Sequence, residues 1–354
     1  MKVVFDAERL RNPNSGLGQF CRALGNALID VRPPDDALSF IVPPGREATF
    51  AAPTLRTKWW MRYVTPSYAD VWHAPHQDVW IRPPAAARMV LSIMDLNFLE
   101  RAEYSEAKKA RRLAAVQRKV DDADAIATIS QFTADVVKKH LTIPDIPVRV
   151  IHLGNPLDGV KSPVTAPPEV ASLTPGSFFL FVGVIHPKKN VKTLVRLLRA
   201  FPDMSLVIAG PADHPYAREV RRTADELGVG SRLIMPGAVT DQAKRWLYEN
   251  SRALLFPSIS EGFGLPVVEA MSAGKPAFLS RLTSLPEIGG EAAWYFDSFD
   301  PEAMADVVRR GLDDFDRHPQ RPAELKAFAS RYSWARAATE YWALYAEVFQ
   351  APRR

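Results

Sequence analysis

One stretch, residues 258–276, constrains the fold and the function of this chain more than any other. It follows the apolar run of residues 253–256, which predicts a short buried strand. Pro266 suits the first turn of a helix, where a missing N–H costs nothing, and Gly274 suits the helix end. The stretch therefore predicts a strand, a glycine-containing loop and a short helix.

Two carboxylates flank the predicted start of this helix. Glu261 stands in the loop, and Glu269 follows eight residues later. The N–H groups of Phe263, Gly264 and Leu265 would lie near the helix start, where the backbone favours an anion. A ligand with hydroxyl groups on both sides of a phosphate, such as a nucleotide sugar, suits this arrangement. The spacing also allows a structural interpretation, in which Glu261 caps the helix and Glu269 lies on a solvated face.

Composition predicts a soluble protein of two domains with an anionic partner. A chain of 354 residues is long for one domain, and 47% hydrophobic with 24% charged residues is ordinary for a globular protein. A single cysteine, Cys21, excludes an intrachain disulfide and indicates a reducing compartment. Because no apolar run approaches about 20 residues and a charge follows Met1 at once, we expect a cytoplasmic location. The net charge of +5 suits a nucleotide, an anionic lipid surface or a nucleic acid without choosing among them.

Strand-like and helix-like segments alternate along both halves of the chain. This alternation predicts α/β architecture with a doubly wound parallel sheet in each half. The predicted boundaries are an N-terminal domain over residues 1–160, a proline-rich linker over 161–177, a C-terminal domain over 178–333 and a final helix over 334–354.

The N-terminal half opens like a dinucleotide-binding unit. A strand over residues 2–5 precedes a polar loop with Gly16 and Gly18, and residues 19–29 have helical spacing. The full G-x-G-x-x-G fingerprint is absent, so a tight turn is an equally open interpretation of the two glycines.

Two other features of the N-terminal half allow more than one interpretation. Residues 55–63 combine aromatic side chains with Arg and Lys, which suits a membrane interface or a sugar surface, or else a core edged by cations. His73 and His76 are predicted in a loop after the strand of residues 71–73, from which they would reach a ligand.

The pattern S-x-x-E-G-F-G-L-P-x-x-E-A-M-x-x-G-x-P over residues 258–276 resembles the donor-site signature of the retaining glycosyltransferases of family GT4. The resemblance is close over about residues 178–345 and implies the GT-B fold, in which two Rossmann-like domains face each other across a cleft. It also implies that the final helix returns to the N-terminal domain. Other segments match as well: residues 15–18, 95–98, 181–183, 188–190, 235–240, 246–248, 283–287, 289–290 and 295–297.

The resemblance implies roles for individual residues. Glu261 would hydrogen-bond hydroxyl groups of the transferred sugar, and Lys189 would neutralise phosphate as the leaving group departs, so these two would be catalytic. Glu269 would bind the ribose. The remaining donor contacts would come from Gly16, Gly18, Gly183, Lys188, Phe263, Gly264 and Leu265.

One position departs from the family pattern. Many relatives carry His-Asp where this chain has Met94 and Asp95. A thioether neither donates nor accepts a proton usefully, so Met94 does not replace that histidine. Asp95 and His73 remain candidates for contact with the acceptor or the cleft.

The implied reaction is retaining transfer of a hexose from a nucleoside diphosphate sugar to a saccharide or lipid-linked saccharide in surface polysaccharide or glycan synthesis. GDP-mannose is the preferred donor, because the G-x-x-x-P-[KR]-K-N loop of residues 183–190 resembles mannosyltransferase members. No metal or other cofactor is expected, since Lys188, Lys189 and the helix start would take its place. We expect no nucleic-acid partner, and we expect peripheral contact with the inner face of a membrane.

Three alternatives stay open at this stage. Because Met94 stands where many relatives have histidine, one alternative is a non-catalytic GT-B protein that binds a nucleotide sugar or a glycan. A GT-B nucleotide-sugar epimerase would need more acid–base groups in the cleft than this chain offers. An NAD-dependent dehydrogenase also begins with a glycine loop, but the fingerprint here is incomplete.

Overall fold

A computed structural model describes residues 1–13, 15–65, 68–101, 103–160 and 164–352. The chain divides into two compact units. The first unit comprises Met1–Pro156 and Tyr332–Arg354, and the second comprises Leu157–Arg331. The segment predicted as a linker lies in the second unit. It contains a short 3-10 helix, Pro168–Val170, and its residues 161–163 lie outside the described residues.

Parallel strands form the sheet of the first unit, seven of them in the described part of the chain. The strands are β1 (Lys2–Asp6), β2 (Ala37–Val42), β3 (Thr54–Arg56), β4 (Val71–Ala74), β5 (Arg88–Ile93), β6 (Ala125–Thr128) and β7 (Val148–Val150). Their order is β3-β2-β1-β4-β5-β6-β7, and every neighbouring pair is parallel.

The second unit repeats this design with six strands among its described residues. The strands are β8 (Phe178–Val182), β9 (Ser205–Ala209), β10 (Leu233–Gly237), β11 (Ala253–Phe256), β12 (Ala277–Ser280) and β13 (Trp294–Phe296). Their order is β10-β9-β8-β11-β12-β13, again with parallel neighbours.

Helices connect the strands in both units. They are α1 (Gly16–Asp30), α2 (Glu106–Asp122), α3 (Gln131–His140), α4 (Val191–Leu197), α5 (Tyr216–Glu226), α6 (Asp241–Asn250), α7 (Leu265–Ser272), α8 (Leu285–Gly289), α9 (Pro301–Arg317), α10 (Arg321–Ala329) and α11 (Trp334–Gln350). In each sheet the earliest strand lies in the interior and later strands extend outward on both sides, which is the doubly wound arrangement. The predicted α/β class with a parallel sheet in each half is confirmed.

The sequence missed one strand of the first unit. β3 has three residues, and its last two side chains are exposed. Among the described residues it pairs with β2 alone, at the edge of the sheet. A strand this short carries no apolar run, so periodicity does not reveal it.

The two N-terminal glycines do not lie in a loop, and this prediction was wrong. Helix α1 begins at Gly16, because Ser15 caps it by accepting a hydrogen bond from the N–H of Gly18 at 3.1 Å. A Cβ atom at Gly18 would lie 2.2 Å from the carbonyl oxygen of Asn12. Gly18 therefore permits close backbone approach within the first helical turn, which sequence alone does not distinguish from a turn.

His73 lies inside β4, so its predicted loop location was also wrong. The ladder continues through it, with Phe5 on one side and Val90 on the other. The side chain is fully buried, with Nδ1 at 2.6 Å from the Tyr345 hydroxyl and Nε2 at 2.8 Å from Ser92 Oγ. Both ring nitrogens thus have protein partners, and His73 joins β4 to α11.

Acid should destabilise the first unit through His73. Burial lowers its pKa from 6.5 to about 3, so the folded state holds it neutral while the unfolded state protonates it. Its contribution to stability is present above pH 6.5 and is lost as pH falls towards 3, by about 1.4 kcal/mol per pH unit. Urea unfolding between pH 4 and 7 should show a shallower pH slope for His73→Gln than for the natural protein. Equal slopes would contradict this.

The surface formed by residues 55–64 is more exposed than a core interpretation allows. Met61 is buried, but Trp59 is 72% exposed, Tyr63 64% and Val64 61%. Its cations are Arg56, Lys58 and Arg62. The interpretation as a core edged by cations is therefore wrong for the aromatic residues Trp59 and Tyr63. No helix in the described ranges is long and apolar enough to cross a membrane.

Candidate functional site

Two loops of the second unit meet at the carboxyl-terminal ends of its strands. β8 and β11 are parallel neighbours, so the loops after Val182 and Phe256 leave from the same side. The N–H of Ile259 donates to the carbonyl oxygen of Lys188 at 2.8 Å, and Ser258 Oγ donates to the same oxygen at 3.3 Å. The loop that resembles a diphosphate loop is thereby fastened to the loop that carries Glu261.

An ion pair between Lys189 and Glu261 lies where these loops meet. Lys189 Nζ donates to Glu261 Oε1, although the two residues are 72 positions apart. Their side chains are only 13% and 12% exposed. The structure thus brings together the two side chains that the sequence singled out as catalytic. Such a partly desolvated pair is stronger than one on the surface and fixes both groups in place.

The loop after β12 holds the backbone around Glu261. Thr283 Oγ1 accepts a hydrogen bond from the N–H of Glu261 at 3.1 Å, and Thr283 itself adopts φ 55°. Ser284 Oγ lies 3.1 Å from the carbonyl oxygen of Glu261 and donates to that of Phe263 at 2.8 Å. Glu261 is therefore held through its backbone by the side chains of Thr283 and Ser284 and through its carboxylate by Lys189.

Helix α7 begins beside this loop at Leu265, with Gly264 at its N-cap and Pro266 in its first turn. Gly264 has φ 107°, and a Cβ atom there would lie 2.8 Å from Leu285 Cδ2. Only glycine meets both conditions without strain. No side chain caps the helix, and the N–H of Val267 donates to the Gly264 carbonyl oxygen at 2.9 Å. The positive end of the helix dipole at this start favours an anion.

Glu269 lies inside the protein at 3% exposure, on the face of α7 that meets α6. Lys244 Nζ donates to its Oε1 at 2.9 Å, and the Tyr248 hydroxyl donates to its Oε2 at 2.6 Å. Burial and the Glu269 carboxylate both raise the pKa of Tyr248 well above its usual value, so the phenol remains a donor.

These contacts decide against the structural interpretation of the two glutamates. Glu261 does not cap α7, because it pairs with Lys189 instead. Glu269 does not lie on a solvated face, because it is buried between two donors. That interpretation is wrong for both residues.

Gly183 follows β8 directly and has φ 150°. A Cβ atom at Gly210 would lie 2.1 Å from the Gly183 carbonyl oxygen. The backbones after β8 and β9 therefore approach so closely that Gly210 cannot carry a side chain. This contact supports the backbone of Gly183, the first residue of the predicted diphosphate loop.

Comparison with known proteins identifies this unit. The sequence model of the family described as glycosyl transferases group 1 matches residues 167–326, nearly all of the second unit. The chain is a glycosyltransferase. Over 382 aligned residues it is 26% identical to O-antigen chain mannosyltransferase B of Escherichia coli, which covers 96% of this chain and 98% of that protein. It is 30% identical over 228 residues to the serotype-specific mannosyltransferase WbdA of Escherichia coli, covering 61% of this chain and 28% of that protein.

Solved structures show that this glycosyltransferase has the GT-B fold. Sucrose-phosphate synthase of Thermosynechococcus elongatus superimposes with a TM-score of 0.75 at 17% identity, over 99% of this chain and all of that chain. HepE of Anabaena, solved with UDP and glucose, gives 0.72 at 15% identity over 98% of this chain and all of HepE. The predicted GT-B class, and the resemblance to mannosyltransferase-like members, are confirmed.

The remaining predicted residues of the glycosyltransferase belong to the first unit. Asp95 follows β5, where its Oδ1 accepts from the N–H of Asn97 at 3.0 Å and its carbonyl oxygen accepts from Gln77 Nε2 at 2.6 Å. It lines a pocket of about 230 Å³ together with residues of α3. Met94 beside it is buried at 6% exposure.

Sequence reasoning missed four residues that position the two glutamates. Thr283, Ser284 and Tyr248 lie in segments that match the family, but the match implies no role for them. Lys244 and Tyr248 carry a signal that was available, because they lie four positions apart on one face of α6. Nothing in their spacing, however, indicated that this face meets Glu269. Among the described residues, no three His, Cys, Asp or Glu side chains converge in a way that could hold a metal ion.

Proposed function

We propose that this glycosyltransferase is a retaining hexosyltransferase that moves mannose from GDP-mannose to a saccharide or lipid-linked saccharide acceptor in surface polysaccharide or glycan synthesis. The observation that carries the proposal is the ion pair of Lys189 and Glu261 beside the uncapped start of α7. A cation, a carboxylate and the N-terminal end of a helix together suit a sugar joined to a diphosphate.

Each group has a step in the proposed reaction. As the bond from the sugar to the diphosphate breaks, negative charge grows on the leaving phosphate, and Lys189 with Lys188 and the first N–H groups of α7 stabilises it. Glu261 accepts hydrogen bonds from hydroxyl groups of the sugar. Retention follows if the acceptor attacks from the side of the departing phosphate, which accepts the acceptor's proton. Glu269 binds the ribose through its carboxylate.

Relatives support mannose as the transferred sugar. The E. coli relatives are named mannosyltransferases, and a third relative, from Komagataeibacter xylinus, is named GDP-mannose:cellobiosyl-diphosphopolyprenol alpha-mannosyltransferase. The last is 31% identical over 188 residues, covering 51% of this chain and 48% of that protein. The UDP complex of HepE makes UDP-glucose the donor to compare.

A direct experiment tests this function. Calorimetry should show tighter binding of GDP than of UDP. Incubation of GDP-mannose with purified lipid-linked saccharide acceptors should give a mannosyl product with the anomeric configuration of the donor by NMR. An inverted product would contradict retention. Tight binding of a nucleotide sugar with neither transfer nor hydrolysis would favour a non-catalytic binding protein.

Lys189→Ala should weaken binding of GDP at least tenfold, because a charge-assisted contact contributes about 1.5–3 kcal/mol. The matched control is Lys192→Ala, since Lys192 lies on α4 and pairs with Glu219 at the surface. Calorimetry with GDP on both variants checks the prediction. Equal affinity of Lys189→Ala and the natural protein would remove Lys189 from the phosphate site.

Transfer should continue in excess chelator, because we propose that lysines and a helix start replace a metal at the diphosphate. The measurement is the initial rate of transfer with EDTA, compared with the rate after addition of Mg²⁺ or Mn²⁺. Loss of transfer in EDTA and its return with either ion would overturn this part of the proposal.

We also propose that the enzyme is cytoplasmic and contacts the membrane through the surface of residues 55–64. Its exposed aromatic side chains and its three cations suit the interface of an anionic bilayer. Sedimentation with vesicles of phosphatidylglycerol, but not of phosphatidylcholine, should carry the protein down. The variant Trp59→Ala should lower that fraction, and an unchanged fraction would place the contact elsewhere.

A further inference from the structure

Lys244 is a largely buried cation for which the proposed reaction has no role so far. It lies on α6, its side chain is 12% exposed, and its ammonium faces two carboxylates. Glu269 Oε1 is at 2.9 Å and Asp241 Oδ1 at 3.5 Å. Burial alone would lower the pKa of Lys244, but Glu269 and Asp241 raise it above the usual value, so the side chain remains charged.

The hydrogen bonds around Glu269 leave some acceptor positions and one donor unused. A carboxylate offers about four acceptor positions, two on each oxygen. Lys244 uses a position on Oε1 and Tyr248 uses one on Oε2, which leaves one on each oxygen. An ammonium has three N–H donors, and Lys244 directs two at Glu269 and Asp241. The third is left for a ligand.

The two unused acceptor positions of Glu269 and the third N–H of Lys244 match a pair of neighbouring hydroxyl groups. Each hydroxyl group can donate its proton to one carboxylate oxygen, and its own oxygen can accept from the ammonium. We propose that Lys244 is a specificity-determining residue that donates to a ribose hydroxyl group bound by Glu269, so that the site selects ribonucleotides over deoxyribonucleotides. The inference rests on the proposed function, because it needs Glu269 to meet the ribose.

The physical reason for selectivity is the penalty for unpaired buried groups. A deoxyribose would leave a position on Glu269 and a donor on Lys244 without partners. A site built to hydrogen-bond a hydroxyl group rejects the analogue that lacks it, because charged buried groups lose their partner. Without Lys244, Glu269 could still accept hydrogen bonds from the ribose hydroxyl groups, but no ammonium group would donate to the hydroxyl oxygens.

Calorimetry with GDP, 2′-deoxy-GDP and 3′-deoxy-GDP tests the proposal. In the natural protein we expect at least one deoxy analogue to bind about tenfold or more weakly than GDP. In Lys244→Met that penalty should fall to about threefold or less, whatever happens to the affinity for GDP itself. UDP and its deoxy analogues replace the GDP series if UDP binds more tightly.

Two further variants keep the result interpretable. Arg245→Met removes a cation from the same helix, one that contacts Glu249 and the Val160 carbonyl oxygen, and should leave the deoxy penalty unchanged. Lys244→Met leaves Glu269 as an unpaired buried charge and risks unfolding. In a Glu269→Gln background that charge is absent, and adding Lys244→Met there should still reduce the remaining penalty.

The outcomes separate this inference from the proposed function. If the natural protein binds no nucleoside diphosphate, both fail. If it binds GDP but shows no deoxy penalty, or if both penalties survive Lys244→Met within twofold, Lys244 has only a structural role and this inference alone is overturned.

Discussion

Replacing Glu261 with glutamine is expected to lower the rate of sugar transfer at saturating donor about 100-fold, because its carboxylate acts where charge and geometry change in the transition state. Glutamine keeps the volume and still offers Lys189 an oxygen, so GDP should bind within about threefold of the natural affinity. Steady-state kinetics and calorimetry on the same preparation give both values. Thermal melting confirms that the variant is folded.

The matched control for this prediction is Glu269→Gln. Its carboxylate is held by Lys244 and Tyr248, away from the Lys189 ion pair. It should weaken GDP and donor alike, with a smaller effect on the rate at saturation. If Glu261→Gln loses only affinity for GDP, the roles of the two glutamates are reversed. If both variants bind and react normally, neither glutamate contacts the donor.

Truncation of Tyr345 to alanine is expected to destabilise the first unit by at least 4 kcal/mol. Its ring is fully buried, and removal of an aromatic side chain from a core costs about 3–5 kcal/mol. The change also leaves Nδ1 of His73 without the Tyr345 hydroxyl, which adds about 1–3 kcal/mol. Urea unfolding followed by tryptophan fluorescence measures the loss, since Trp72 and Trp342 are buried in the same unit.

Tyr345→Phe separates the two contributions of this side chain. It keeps the ring and removes the hydroxyl group, so its loss of stability should be about 1–3 kcal/mol. A loss below about 1 kcal/mol in Tyr345→Ala would mean that the surrounding residues close the cavity and that α11 adds little to the first unit.

Local signals determined how much of the molecule could be predicted. The run of residues 253–256 is β11 without change, and Pro266 and Gly274 mark the start and end of α7, because these signals act within one turn or strand. The sheets followed from the alternation of strands and helices. The short edge strand β3 was missed, since pairing with β2 forms it rather than any pattern of its own.

The site was predictable where a motif specifies it and not where distant contacts do. Glu261 and Lys189 stood out as residues, but only the parallel pairing of β8 and β11 brings them into contact. The sequence predicts His73 in a loop because nothing in its neighbours reveals Tyr345, 272 residues later. The spacing of Lys244 and Tyr248 puts both on one face of α6, but only the packing of α6 on α7 shows that this face meets Glu269.

The assignment of α11 to the first unit has a consequence for protein synthesis. The ribosome makes Met1–Pro156 first and adds Tyr332–Arg354 only after the 175 residues of the second unit. At about 5–20 residues per second this interval lasts roughly 9–35 s. During it the nascent first unit lacks Tyr341 and Tyr345, so His73 Nδ1 and Ser92 Oγ lack the hydroxyl partners that α11 supplies, and the surface that α11 covers is exposed. The second unit is synthesised in one continuous piece during this interval, and the half of the enzyme that is translated first is completed last.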